Sequence, residues 1–381
     1  MAARVTSIEA VLDALGRHPH ARAVLAPALA PGGSASHAYL FHGPGGAGKR
    51  STARAVAAEL LADGSPDPDG ARARVRSGAH PDLTWVAPSG AHEILVSDID
   101  VPVVAAATRT PFEASRRVFV IEHAHELGDE AANRMLKTLE EPAPYVHLIL
   151  LTDRLVEVLP TIQSRCQLVR FEAPVIADVA ARIEAGGVAA ATALACARIA
   201  LGDAERAGTL ASPEGAALRA AAERYARTAV HSEVASARPW SELLSAVRGQ
   251  GEIVRAALEA RAADELELHP RKERKRVETE WSERTRRARR RVETSALDLG
   301  LQVTSIWLRD LAAMAWGAPD VVHNTDRAAE LGADAELGLD PRALRAAVEL
   351  VEDTRTRFQL NVSEDLACEA LAYRVQETLA A

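Results

Sequence analysis

The chain has 381 residues, room for two or three domains at roughly 150 residues each, and its 48% apolar and 26% charged residues are those of an ordinary globular protein. Its 45 Lys and Arg against 53 Asp and Glu leave a net charge of −8, which excludes a uniformly basic nucleic-acid coat but not a local basic surface. No apolar run reaches the length of a membrane span, no charged-then-apolar leader opens the chain, and Cys166, Cys196 and Cys368 are too few and scattered for a disulfide framework, so a reducing cytoplasm is the expected setting.

In chain order, residues 7–30 have helical spacing, with Ile8, Val11, Leu12 and Leu15 on one stripe. The Pro/Gly/Ser stretch 31–36 breaks that pattern. Ala38–His42 reads as a short buried strand, running into Gly43-Pro-Gly-Gly-Ala-Gly-Lys49, and residues 51–62 are then rich in Ala and Leu and read as a helix. Residues 63–79 form a polar segment with several Gly and Pro. Strand-like runs follow at Leu83–Val86, Arg117–Ile121 and 146–151, with helical segments at 98–108 and 129–141 between them. Strands alternating with helices predict a parallel sheet with crossovers. From about Pro174 onward almost everything reads as helix, with joints near Gly186-Gly187, around 231–239 and at Pro319.

Gly43, Gly45, Gly46, Gly48 and Lys49 match the G-x-x-x-x-G-K part of a Walker A loop, between a predicted strand and helix as the motif requires. Such glycines let backbone N–H groups curl round an anion, and the helix N-terminus and the lysine add positive potential. The chain has only four lysines (Lys49, Lys137, Lys272 and Lys275), so one in this position is unlikely to be an accident. The next position should carry the Ser or Thr whose hydroxyl holds Mg²⁺. Here it is Arg50, and Ser51, one residue on, points about 100° away on a helix. The apolar run ending in Glu122 has the form of a Walker B strand. Glu122 could still serve a metal, but His123 stands where hydrolysing enzymes carry the carboxylate that orients the attacking water. Loss of that carboxylate and of the Mg²⁺ hydroxyl together predicts phosphate binding without hydrolysis.

His37-Ala-Tyr-Leu-Phe-His-Gly-Pro, the strand from Val118 to His125, the run from Ala132-Asn133 through Leu136-Lys137 to Glu140-Glu141-Pro142, and Ser164-Arg165-Cys166 follow in this order. Together they resemble the AAA+ domain of the bacterial DNA polymerase III clamp-loader family over about residues 36–172. The resemblance implies an α/β AAA+ P-loop domain, a parallel sheet with flanking helices, over 1–173. It implies a small helical lid over 174–238 and an all-α collar, through which loader subunits assemble, over 239–381. By the same resemblance Arg165 is an arginine finger acting in trans on ATP held by a neighbouring subunit, and Thr152 sits at the sensor position. The degenerate nucleotide site would comprise Gly43, Gly45, Gly46, Gly48, Lys49, Arg50, Ser51, Glu122 and Thr152.

Within the family, the gamma/tau motor subunit has an intact site and four zinc-binding cysteines after the first P-loop helix. A non-motor member often keeps the zinc module but has a degraded nucleotide site, which is the side this sequence takes. Residues 63–79 contain no cysteine, although His80-Pro81-Asp82 resembles the usual exit from the module, so no zinc is expected there. No cofactor is then required, and ATP or ADP would bind weakly. The implied partners are gamma/tau motor subunits, delta, the sliding clamp and, through the complex, primer-template DNA, in a DNA polymerase III holoenzyme with nucleotidyltransferase activity; no membrane is implied. An active motor ATPase, favoured by Lys49 and Glu122, and a standalone AAA+ DNA-repair ATPase remain as alternatives.

In the helical half, Leu344, Val348, Val351 and Phe358 fall at helical spacing, as do Leu371, Val375 and Leu379 after Asn361-Val362, and each stripe reads as core or subunit interface. Residues 271–291 hold eleven Lys or Arg against four Glu, either a polyanion contact or a solvated helical face with i,i+4 pairs.

Overall fold

A computed structural model describes residues 2–30, 32–88, 93–358 and 362–380. Pro31 and Asn361, and the side chain of Arg271, lie outside the described residues. The chain divides into two compact units, residues 1–173 and 174–381.

In the first unit five parallel strands form one sheet: β1 (Ala38–His42), β2 (Leu83–Val86), β3 (Arg117–Ile121), β4 (Val146–Thr152) and β5 (Gln167–Arg170). Their order is β2-β3-β4-β1-β5, with Phe41 of β1 level with Leu151 of β4 and Val169 of β5. Successive residues of a strand face opposite ways, and a parallel sheet is covered on both faces. Accordingly Tyr39 and Phe41, Val118 and Val120, and Ile149 and Leu151 pack against the helices Ala2–Ala14, Pro19–Leu29 and Lys49–Ala62. Ala38 and Leu40, Phe119 and Ile121, and Leu148 and Leu150 pack on the other face with Ile99, Met135 and Leu139. This is an α/β domain built on a parallel sheet, with the loop after β1 at the carboxyl ends of the central strands, where such sheets bind ligands.

Several local expectations are corrected. The helix predicted over 7–30 is two, Ala2–Ala14 and Pro19–Leu29, because Pro19 opens a new first turn after His18. The polar segment 63–79 contains a helix, Pro68–Ser77, whose N-cap Asp67 accepts from the Gly70 N–H at 3.0 Å. The segment 98–108 is a short helical turn followed by a π-type turn, Asp100–Ala105, around Pro102, which has no N–H for a regular ladder. β5 was not read from the sequence because Gln167, Leu168 and Arg170 are exposed, leaving only Val169 as an apolar burial signal.

The second unit is helical throughout its described residues. One buried core joins Val179, Leu218 and Tyr225 to Leu243, Leu301, Trp307, Leu344 and Leu371. The lid expected over 174–238 and the collar expected over 239–381 therefore share a core. The stripe residues Leu344, Val351, Leu371, Val375 and Leu379 are buried in it, and Val348 and Phe358 pack against it. Helices Pro239–Leu268 and Arg271–Ala315 pack along each other as a long hairpin. The basic run 271–291 is largely solvated, with Val277 and Thr285 buried, and carries i,i+4 pairs such as Arg276–Glu280 and Glu283–Arg287. No described helix is long and apolar enough to cross a membrane.

Candidate nucleotide site

The phosphate loop begins where β1 ends. Gly43 has φ +141, and a Cβ there would lie 2.3 Å from the Phe171 carbonyl oxygen, so no other residue fits. Gly46 (φ 69) and Gly48 (φ 85) carry the chain through left-handed turns into the N-terminus of Lys49–Ala62. Lys49 is only 9% exposed. Its ammonium donates to the loop's own carbonyls, Gly43 O at 2.5 Å and Pro44 O at 2.6 Å. The Ser51 hydroxyl donates to Gly48 O at 2.8 Å and is occupied within the loop.

Arg50 and Glu122 stand 72 positions apart (122 − 50), roughly 240 Å of fully extended chain at about 3.3 Å per residue, and the fold brings them together.

 Arg50 Nε lies 2.8 Å from Glu122 Oε1, and the Trp85 indole N–H donates to the same oxygen at 2.5 Å. The Glu122 side chain is 6% exposed and that of Arg50 58%. The carboxylate expected to remain open to a metal is therefore held by a guanidinium and an indole. Arg54 stacks over the Trp85 ring at 4.5 Å and fixes it from the other side.

Beyond Glu122 the backbone turns through His123 in the left-handed region (φ 52, ψ 50). The His123 imidazole Nδ1 lies 3.4 Å from Glu126 Oε1. Thr152, at the end of β4 and 2% exposed, accepts from the Arg154 N–H at 3.0 Å. Its hydroxyl also lies 3.0 Å from Nδ1 of His125. Burial pushes the His125 pKa down, against the opposing pull of Asp153 and Glu126. The Thr152 hydroxyl is thus engaged with His125.

Arg165 follows the short helix Pro160–Gln163. Its guanidinium pairs with Glu140, at the end of helix Asp129–Glu140, and donates to Thr161 O at 2.8 Å and to the Ser164 hydroxyl at 3.3 Å. None of the loop residues is among these partners. Its side chain is one-third exposed. Burial pushes the neighbouring Cys166 thiol up to about 12, so it is no nucleophile at neutral pH.

The segment without cysteines is closed by its own polar contacts. Arg72 Nε and Nη2 each donate to Glu59 at 2.8 Å, both side chains being almost fully buried. Asp82 accepts the backbone N–H groups of Phe112, Glu113 and Ala114 at 2.6, 2.9 and 2.9 Å, and its own N–H donates to His80 Nδ1 at 3.1 Å.

Against known proteins, residues 18–175 match the family model described as DNA polymerase III, delta subunit. Over these residues the chain is similar to clamp-loader subunits of DNA polymerase III. The chain is 34% identical over 142 residues to DNA polymerase III subunit delta' of Bacillus subtilis, covering 36% of this chain and 42% of that protein. It is 37% identical over 137 residues to the delta' subunit of Pseudomonas aeruginosa, covering 34% of this chain and 42% of that one. It is 32% identical over 156 residues to the gamma/tau subunit of Mycobacterium tuberculosis, covering 38% and 26%. The chain thus spans less than half the length of these curated relatives.

At the candidate site, Trp85, His125 and Asp153 stand beside the expected residues without having been singled out from the sequence. The His123-Ala-His125 spacing was a visible signal. Trp85 gave none, because its role depends on β2 lying beside β3, with Trp85 level with Val120.

Proposed function

We propose that this chain is the delta-prime subunit of the DNA polymerase III clamp loader, a non-hydrolysing AAA+ scaffold. In this reading it assembles with gamma/tau motor subunits and delta, and offers Arg165 in trans to ATP held by a neighbour while the sliding clamp is placed on primed DNA. The observation that carries the non-hydrolysing half is the Arg50–Glu122 pair. A hydrolysing P-loop site holds Mg²⁺ between a loop hydroxyl and the strand-end acid, and the ion bridges the β- and γ-phosphates. Here a guanidinium grows from the hydroxyl's position and neutralises the acid. The water-orienting position carries His123 in place of a carboxylate.

The finger half rests on family resemblance together with the chemistry of arginine. A planar guanidinium can neutralise charge developing on a γ-phosphate, a contribution of about 10³- to 10⁵-fold in turnover where it has been removed from other enzymes. Arg165 is partly exposed, and its local carboxylate, Glu140, would have to exchange for phosphate.

The test is ATPase activity with clamp and primed DNA, measured on the chain alone and on the reconstituted loader containing wild-type or Arg165→Ala chain. A silent isolated chain, and a loader whose turnover falls with Arg165→Ala, support the proposal. Robust turnover by the pure chain, abolished by Lys49→Ala, would make this subunit a motor.

A further inference from the structure

We infer that His123, His125 and Asp153 form a binding site for a divalent transition ion such as zinc, at the carboxyl ends of β3 and β4. One donor atom of each residue lies within 4.8 Å of the other two. The two imidazoles stand with ring centroids 5.6 Å apart. His125 Nδ1 is 3.5 Å from Asp153 Oδ1, His123 Nδ1 is 3.4 Å from Glu126 Oε1, and His125 Nε2 is 3.9 Å from the same Glu126 oxygen.

These separations are longer than a good hydrogen bond, at about 2.7–3.2 Å. Ligands about 2.0–2.2 Å from zinc stand about 3.4 Å from one another, and His125 Nδ1 and Asp153 Oδ1, 3.5 Å apart, have that spacing. Two imidazoles and one carboxylate are a common ligand set for such ions and leave a fourth position open to water or to Glu126. With His125 Nδ1 turned to the ion beside Asp153, its 3.0 Å contact with the Thr152 hydroxyl would be given up, and that hydroxyl would keep the Arg154 N–H as its partner. His123 holds a left-handed backbone that L-residues seldom adopt, and that turn brings its imidazole to His125.

The sequence led to an expectation of no metal because the family's four cysteines are missing. This site lies elsewhere and uses nitrogen and oxygen donors. The ion would tie the end of the strand carrying Glu122 to the end of the strand carrying Thr152.

The test titrates Zn²⁺ into the full-length chain against a chromophoric chelator, with the Co²⁺ absorption spectrum as a second readout. His123→Ala and Asp153→Asn alter side chains that are both 40% exposed, and circular dichroism checks that each variant folds. The expected result is one ion per chain, with a tetrahedral Co²⁺ spectrum, and affinity at least tenfold weaker in each variant. Absence of binding by the wild-type chain, or unchanged affinity in either variant, overturns the site; the latter would follow if His18, His20 and His42 were the ligands. Neither readout depends on nucleotide or on the loader.

Discussion

Replacing Arg50 by Thr restores a hydroxyl at the magnesium position and removes the cation that occupies Glu122. In the wild-type chain, Mg²⁺ can reach Glu122 only if Arg50 leaves it. Fully exposed ion pairs contribute about 0.2–1 kcal/mol, whereas breaking a fully buried one costs about 3–5 kcal/mol. This pair is mixed, with Glu122 6% and Arg50 58% exposed, so solvent screens the guanidinium and the cost falls at about 1–2 kcal/mol. At about 1.4 kcal/mol per factor of ten, that predicts MgATP binding about 5- to 30-fold tighter in Arg50→Thr. Titration of a fluorescent ATP analogue with and without Mg²⁺ measures it. The gain should appear only with Mg²⁺, because ATP without the ion has no need of Glu122. Equal magnesium dependence in the wild type and the variant would refute the argument that Arg50 excludes the ion.

Three further outcomes follow from the contacts. Arg72→Met leaves the Glu59 carboxylate buried without its bidentate partner, so the folded state should lose about 3–5 kcal/mol in urea unfolding, much of it regained in Arg72→Met/Glu59→Leu. Asp334, fully buried, accepts from Arg227, His231 and the Trp307 indole, and Asp334→Ala should cost about 3–5 kcal/mol by the same measurement; a change below about 1 kcal/mol would show the cluster to be dispensable. Burial holds the pKa values of His18, His42, His80, His125 and His147 below the ordinary imidazole value. The unfolded chain therefore binds protons first as pH falls, and stability is lost from about pH 6.5 downward. Urea midpoints should be lower at pH 5.5 than at pH 7.5, with a shallower loss in His147→Gln; equal midpoints would contradict the burial argument.

Much of the fold was legible because buried parallel strands are continuous apolar runs, and β1, β3 and β4 are of that kind. The helix Pro68–Ser77 was hidden by its own composition: it is held by Arg72 and Asp67, polar residues that also suit a loop. The boundary at 173/174 was visible as the change from mixed to helical pattern. The expected division into a lid over 174–238 and a collar over 239–381 does not match the packing, because helix Arg271–Ala315 contributes Leu297, Leu301 and Trp307 to a core that also contains Val179 and Leu218. At the site, both Arg50 and Glu122 were recognised, but their pairing was not. It depends on the loop after β1 reaching the end of β3 across the intervening β4, which no sequence spacing encodes.

The two departures from a hydrolysing site are better understood as one unit. Losing the loop hydroxyl alone would leave Glu122, nearly fully buried, as a carboxylate with neither metal nor cation beside it, and an unpaired buried charge is costly. Arg50 removes that penalty at the moment it removes the hydroxyl, and the Trp85 N–H satisfies the carboxylate further. The coupling is unequal. Deleting Arg50 strands a buried anion, whereas Glu122→Gln takes one partner from a guanidinium that is already 58% exposed and leaves an amide able to accept from Trp85. In the non-hydrolysing reading proposed above, position 123 has no attacking water to orient, and a histidine there carries no loss in turnover. A reversal confined to His123→Glu should therefore restore no hydrolysis, because the ion that would act with the new carboxylate is still excluded by Arg50.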